Sequence, residues 1–295
     1  MAKTRTGDFP IGFRNNIRHW QKDIEGAIRF AVDQGFELID LGPCDAATAD
    51  QVRGAGLAIG SVDLKHPWSD LTAADAAKRR DAADQAAQTI KDLVPHGTRN
   101  FFTVVIPEDP TAPRKQNLER AVDGYGRLCQ AIESSGGRIV LEGWPGGHPH
   151  YAHLACTPEG YRLLIDQVGS KALGVNFDPS HLVRMGIDWV RFLDEFAARV
   201  YHVHAKDTEL LDEGLYEYGN LQPATFGESR GYGGHHWRYC IPGHGAVRWE
   251  RLLEMLRDTG YDGGLSIELE DENFVDTPQD QERGLLAARD FLVHV

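Results

Sequence analysis

Short apolar runs rich in Val, Ile and Phe alternate along this chain with longer stretches in which apolar residues recur at helical spacing. The first run is FPIGF (Phe9–Phe13), and after it Ile24, Ala27, Ile28 and Ala31 fall on one helical face. The rhythm repeats. FELIDLG (Phe36–Gly42) precedes a helix over about Thr48–Gly54, and LAIGSVDL (Leu57–Leu64) precedes an Ala-rich stretch from Ala73 to about Leu93. NFFTVVIP (Asn100–Pro107) leads to Lys115–Ser134, RIVLEGW (Arg138–Trp144) to Thr157–Val168, and LGVNFDPSH (Leu173–His181) to Trp189–Ala197. VYHVHAKD (Val200–Asp207) is followed, after a delay, by Trp249–Thr259, and GLSIELED (Gly264–Asp271) by Gln279–Val293. Strands alternating with helices predict parallel pairing through crossover helices. Eight such units in 295 residues predict an α/β chain folded as a (β/α)8 TIM barrel, a single domain over 1–295. A doubly wound open sheet competes, but it would usually carry a Gly-rich phosphate turn after its first strand, and PIGFRNN is not one.

In such barrels the chemistry sits where strands end. Strand five ends in Glu142 and strand six in Asp178, with His181 three residues on. Strand seven carries His202, His204 and Lys206, then Asp207; strand eight carries Glu268, Glu270, Asp271 and Glu272. Alternation puts His202, His204 and Lys206 on one face and Tyr201, Val203 and Ala205 on the other. Likewise Ser266, Glu268 and Glu270 oppose Leu265, Ile267 and Leu269. The apolar sets should meet the helices and the polar sets the barrel mouth. A carboxylate there needs a partner, because burying an isolated charge is very costly. One divalent cation held by Glu142, Asp178, His204 and Glu268 supplies it; a salt-bridge network through Lys206 and nearby arginines is the alternative. Three carboxylates and one imidazole favour Mn2+, with Mg2+ or Co2+ next, over a structural zinc.

At these residues the sequence resembles the xylose-isomerase-like barrel superfamily, in its sugar isomerase/epimerase branch. The matching pieces are LEGW around Glu142, NFDPSH (Asn176–His181), HVHAKD (His202–Asp207), RYCIPGHGAVRW (Arg238–Trp249) and LSIELED (Leu265–Asp271), all in the second half of the chain. The resemblance implies the same four metal ligands. It implies also that Glu142 and Glu268 act as acid and base on opposite faces of a keto sugar, and that His181 and Arg238 contact substrate. One departure matters. Ketose epimerases typically follow the strand-seven histidine with a Ser-Glu-type stretch, whereas Lys206–Asp207 is more similar to inosose dehydratases and keto-sugar lyases. There Lys206 would protonate a leaving hydroxyl or orient a substrate oxygen; an ion pair with Asp207 or a neighbouring carboxylate is the other reading. His202 is expected deeper behind His204, and Asp207 on the rim. The expected activity is metal-dependent isomerisation or epimerisation of a keto sugar, begun by removing a proton alpha to its carbonyl. The alternative is elimination from an inosose or 3-keto-glycoside. An AP-endonuclease-like hydrolase is disfavoured, because the first four strands place only His66 at their tips. A non-catalytic sugar-binding barrel is disfavoured too, since it would not need two glutamates around a metal.

Residues 208–243 are too long for an ordinary strand–helix loop. They carry Tyr216, Tyr218, Phe226, Tyr232, Trp237 and Tyr239, too many aromatics for a disordered segment. A partly ordered lid is expected, with bends at Gly231, Gly233 and Gly234; a subunit contact is the alternative, and homo-oligomer formation stays open. His235 and His236 could contact substrate or sit in solvent. Trp144 could form a sugar-stacking wall or pack into the core, and His148, His150 and His153 could form a second metal site. PGHGAV (Pro242–Val247) lacks the lysine and spacing of a nucleotide loop, though its backbone N–H groups could meet a phosphate.

Composition narrows the partners. A net charge of −13 argues against nucleic acid, which demands a basic face. The 4 cysteines (Cys44, Cys129, Cys156 and Cys240) form no CxxC pair, so thiolate zinc is not expected and they read as reduced thiols. No apolar run reaches membrane length and the N-terminus has no apolar signal core, so a cytoplasmic protein with no membrane partner is expected.

Overall fold

The computed structural model describes residues 1–147, 152–221 and 224–295. Its central element is a ring of strands: β1 (Ile11–Arg14), β2 (Leu38–Leu41), β3 (Ala58–Asp63), β4 (Asn100–Val104), β5 (Arg138–Glu142), β6 (Leu173–Phe177), β7 (Val200–Ala205) and β10 (Leu265–Ile267). They close in the order β1-β10-β7-β6-β5-β4-β3-β2, and every neighbouring pair is parallel. The ring decides against an open sheet. Strands buried on both faces read as the near-continuous apolar runs seen in the sequence. Around them lie α1 (Ile24–Asp33), α2 (Ala46–Gly54), α3 (Ala76–Leu93), α4 (Arg114–Ile132), α5 (Pro158–Val168), α7 (Trp189–Phe196), α9 (Trp249–Asp258) and α10 (Pro278–His294).

The helices start where the sequence supplies caps. Asp23, Asp45, Asp75 and Thr157 each accept a hydrogen bond from the first turn of α1, α2, α3 and α5, satisfying donors that have no partner within the helix. In α7, Trp189, Phe192, Leu193 and Phe196 recur at helical spacing and bury one face against the barrel.

Two expectations shift. The sixth apolar run stops being a strand at Phe177; Asp178 caps a short helix, α6 (Pro179–Arg184), with Pro179 in its first turn. His181 therefore rides on a helix. The seventh run also breaks: β7 ends at Ala205, and after Lys206 the chain enters β8 (Asp207–Leu210), which pairs antiparallel with β9 (Trp237–Cys240), with α8 (Asp212–Tyr218) between them. The base of this hairpin is tied down by Asp207. Its carboxylate accepts hydrogen bonds from the backbone N–H of Thr208, Gly243 and Val247 and from Trp249 Nε1, at 2.8, 3.2, 3.0 and 2.9 Å. A Cβ at position 245 would lie 2.2 Å from Asp207 Oδ1, so glycine alone permits this approach.

Candidate metal centre and active site

The C-terminal ends of β5, β6, β7 and β10 bring Glu142, Asp178, His204 and Glu268 into one buried cluster. One ligating atom from each lies within 4.8 Å of all the others. His204 Nδ1 is 2.7 Å from Glu142 Oε1 and 3.4 Å from Glu268 Oε2, yet it makes no hydrogen bond among the described residues. Asp178 uses Oδ1 to cap α6 through Ser180 N at 2.9 Å and leaves Oδ2 without a hydrogen-bond partner. Buried polar atoms are normally paired. Ligating atoms converging in this way from three carboxylates and an imidazole suit a hard divalent cation once the imidazole has lost its proton, so the donor set fits the metal expected from the sequence.

Lys206 and Arg14 supply positive charge to the same cluster. Lys206 Nζ lies 2.5 Å from Glu268 Oε2, 2.9 Å from Glu270 Oε2 and 3.2 Å from Asp178 Oδ2. Arg14 Nε lies 3.2 Å from Glu268 Oε1. Burial pushes the Glu268 carboxyl up, but Lys206, His204 and Arg14 outweigh it and hold it well below the usual carboxylate range. Burial and the nearby Glu268 push Glu142 up, and His204 with His181 bring it below its ordinary value. Burial disfavours charge on Lys206 as well, but Asp178, Glu268 and Glu270 hold its ammonium well above the ordinary lysine value. Both glutamates are therefore ionised at neutral pH, as a metal ligand or a base must be.

Family-level comparison agrees with this architecture. The model of the xylose isomerase-like TIM barrel family matches residues 28–293. The chain belongs to that family. The Bacillus subtilis (strain 168) protein YfiH is 30% identical over 159 residues, 51% of this chain and 46% of that protein. The inosose dehydratase of Clostridium perfringens strain ATCC 13124 is 26% identical over 164 residues, 56% of this chain and 51% of the dehydratase. The chain thus spans about half the length of these curated relatives. Among solved structures, D-psicose 3-epimerase from Clostridium cellulolyticum H10 superposes with a TM-score of 0.70 at 17% identity, covering 97% of this chain and 100% of the epimerase.

Within this xylose isomerase-like barrel the other expected residues divide. His181 joins the cluster: Nε2 lies 3.3 Å from Glu142 Oε2 and 3.4 Å from Asp178 Oδ2, and Nδ1 lies 2.6 Å from the Tyr239 hydroxyl. His202 lies behind His204, with Nε2 2.8 Å from Asp40 Oδ2. Lys206 pairs with Glu268, Glu270 and Asp178 and not with Asp207, whose carboxylate is fully used in anchoring the hairpin. Asp207 is therefore not a rim residue of the cluster. The Gly243 and Val247 N–H groups offered to a phosphate are the ones it occupies. Arg238 donates to Glu209 at 2.6 Å and to Asp271 at 3.1 Å, neither of them in the cluster. Trp144 follows Glu142 and packs edge-on against His153, ring centroids 4.8 Å apart. His236 is buried, not solvated. Of the second histidine group, His148 and His150 lie outside the described residues.

Two contributors escaped the sequence reading. Asp40, in the middle of β2, is fully buried and lies 3.3 Å from His204 Nε2, on the side away from the cluster. Gly60 makes room for it, since a Cβ there would lie 2.2 Å from Asp40 Oδ1. Arg14, at the tip of β1, pairs with Asp63 through both terminal nitrogens at 2.8 Å. Each is a lone charge in an apolar run, a pattern that by itself demands a buried partner.

Proposed function

We propose that this protein is a divalent-metal-dependent enzyme that removes a proton alpha to the carbonyl of a keto sugar, with isomerisation or epimerisation as its outcome. The observation that carries the reading is the buried convergence of Glu142, Asp178, His204 and Glu268, with two ionised glutamates on either side of His204 Nδ1. These four residues would hold the cation, Mn2+ before Mg2+ or Co2+. When bound, such an ion supplies positive charge to a carbonyl oxygen and to the oxyanion that grows there.

The remaining work falls to the chain's own side chains. One of Glu142 and Glu268 takes the alpha proton and the other returns a proton, on the same carbon from the opposite face for epimerisation or on the neighbouring carbon for isomerisation. Asn176 Nδ2 donates to Glu142 Oε1 at 2.9 Å and fixes that carboxylate. Arg184 Nη1 donates to the Tyr239 hydroxyl at 2.6 Å, which leaves the hydroxyl proton for His181 Nδ1, and the Nε2 edge of His181 faces Glu142 Oε2 and Asp178 Oδ2 at 3.3 and 3.4 Å. The hairpin that carries Tyr239 acts as a lid that excludes water from the carboxylates. The epimerase name of the superposed structure agrees with this chemistry.

Elimination is the second reading, favoured by one observation: the Lys206 ammonium lies against Glu268, placed to protonate a departing hydroxyl after the same first step. The dehydratase name of the matched relative agrees with it. Product analysis separates the two. Manganese-loaded protein is incubated with ketoses, an inosose and a 3-keto-glycoside, and the products are read by NMR and mass spectrometry. A new isomer of unchanged mass supports the first reading; an unsaturated product that has lost water or an aglycone supports the second. No conversion of any of them contradicts both.

A further inference from the structure

The strand tips in the first half of the chain carry a buried ion pair that the proposed chemistry does not use. Arg14 ends β1 and Asp63 ends β3. They join through both terminal guanidinium nitrogens at 2.8 Å, with only 13% and 9% of their side chains exposed. Replacing such a pair by apolar residues is often neutral or stabilising, so its burial is weak evidence of a role in stability. As a unit the pair also adds no net charge to the carboxylate cluster, since Asp63 carries one negative charge for the one positive charge of Arg14. What the pair does supply is a fixed position.

Three contacts fix the guanidinium. The fork to Asp63 sets its orientation, because bidentate pairing adds geometric specificity to energy. Its Cζ lies over the Phe102 ring, 4.4 Å from the centroid, and that ring is stacked on His204 at 5.3 Å and met edge-on by Trp68 at 5.5 Å. With both terminal nitrogens on Asp63, Nε is the nitrogen that meets Glu268, 3.2 Å from Oε1. The other oxygen of that carboxylate, Oε2, lies 2.5 Å from Lys206 Nζ and 3.4 Å from His204 Nδ1. Glu268 is thus held at both oxygens, Oε2 at the centre and Oε1 at Arg14. Glu142 divides in the same way, with Oε1 2.7 Å from His204 Nδ1 and Oε2 3.3 Å from His181 Nε2. In each glutamate one oxygen faces the central imidazole. The other faces a nitrogen that a further residue steadies, His181 by Tyr239 and Arg14 by Asp63.

We infer that Arg14, oriented by Asp63, is the positioning residue of Glu268: it fixes Oε1, the oxygen turned away from the centre, where that carboxylate exchanges a proton with substrate. The inference rests on the proposed keto-sugar chemistry for what Glu268 does, and one arm of its test is independent of that chemistry. Arg14→Met combined with Asp63→Asn removes the pair without leaving a buried charge unpaired and without changing the net charge, so it separates position from charge. Mn2+ affinity is measured by competition with a fluorescent chelator. Solvent-deuterium exchange into a ketose, an inosose and a 3-keto-glycoside is measured against sugar concentration. Outer partners of metal-binding side chains typically carry 10–100-fold in metal affinity or activity. The double variant is expected to bind Mn2+ about ten-fold more weakly and to lose about ten-fold or more in kcat at little-changed KM, with circular dichroism unchanged. Arg14→Lys keeps the charge, loses the fork and should lose kcat as well. In Arg14→Ala, a cavity of about 500 Å3 bordered by Asp63 gives guanidinium ion access to the vacated place. Millimolar guanidinium should restore kcat several-fold in Arg14→Ala and leave the double variant, which lacks the Asp63 anchor, unimproved. Unchanged exchange in the double variant, or full activity in Arg14→Lys, overturns the inference. Where the double variant does not fold, absent rescue of Arg14→Ala overturns it. A wild type that exchanges no deuterium retires the keto-sugar reading. The positioning of Glu268 then stands on weakened Mn2+ binding in the double variant and falls with unchanged binding.

Discussion

Asp40 shows how a side chain with no expected contact to substrate bears on the centre. Its Oδ2 is hydrogen-bonded to His202 Nε2 at 2.8 Å and lies 3.3 Å from His204 Nε2, against the far edge of the imidazole whose Nδ1 faces the carboxylates. Carboxylates behind a metal-binding histidine fix its tautomer and orientation, and their loss typically costs 10–100-fold in affinity. Asp40→Asn keeps the shape and removes the charge. It is expected to weaken Mn2+ binding by about 10–100-fold in competition with a fluorescent chelator, with circular dichroism unchanged; unaltered affinity would make Asp40 merely structural. Acid should act on the same residue. Burial pushes its carboxyl up, but His202 and His204 outweigh that and hold it well below the usual carboxylate range. A depressed carboxyl binds fewer protons folded than unfolded, so its stabilisation is present above about pH 4 and is lost as pH falls below that. Calorimetric melting temperature should drop steeply below about pH 4, less so in Asp40→Asn. Of the four proposed ligands, His204 and Glu268 were legible from period-two alternation, and Glu142 and Asp178 from standing where apolar runs end. Asp40 was not, because its partners come from β7, 162 positions away, and nothing in FELIDLG names them.

Among the elements, the hairpin of β8 and β9 is where sequence and structure part most. VYHVHAKD is one continuous run on paper, and DTEL has no apolar alternation to mark a second strand. What makes Asp207–Leu210 a strand is its pairing with Trp237–Cys240, a non-local contact that periodicity cannot register. Of the aromatics of the insertion, Trp237 and Tyr239 are buried, whereas Tyr216 and Phe226 stand exposed. The break falls at Lys206, whose ammonium is drawn to Glu268, Glu270 and Asp178 while Asp207 turns to the loop before α9. Removing that anchor has a definite cost. Asp207→Ala leaves three backbone N–H groups and the Trp249 indole without their acceptor and is expected to lower stability by about 3 kcal/mol in urea titration. A loss below about 0.5 kcal/mol would show that the hairpin base does not depend on it. Tyr239→Phe keeps the ring over Lys206 and removes the hydroxyl shared by His181 and Arg184. It is expected to lower turnover about ten-fold or more with little change in melting temperature; unchanged turnover would detach β9 from the chemistry.

At the scale of the whole molecule the eight-fold strand–helix rhythm sufficed for the architecture, because each parallel strand of a closed barrel is buried on both faces and so reads as a mainly apolar run. Among the described residues, no helix is long and apolar enough to cross a membrane. A cation at the proposed centre would couple metal to fold, since Glu142, Asp178, His204 and Glu268 come from the ends of four separate strands. A cation that binds only the folded chain stabilises it by mass action, about 2.7 kcal/mol at a hundred times its dissociation constant, so chelation should lower the melting temperature and Mn2+ should restore it. His204 is held well above the ordinary histidine value, burial being outweighed by Glu268 and Glu142, and it must give up its proton to bind a metal. Affinity for Mn2+ should therefore rise with pH. The most direct test of the account is solvent-deuterium exchange at the carbon alpha to the carbonyl of a keto sugar, followed by NMR in heavy water before chelation, after chelation and after Mn2+ is returned. The account predicts exchange that stops on chelation and resumes with Mn2+. Exchange that persists in the chelated protein, or that never occurs with ketose, inosose or 3-keto-glycoside, would contradict it.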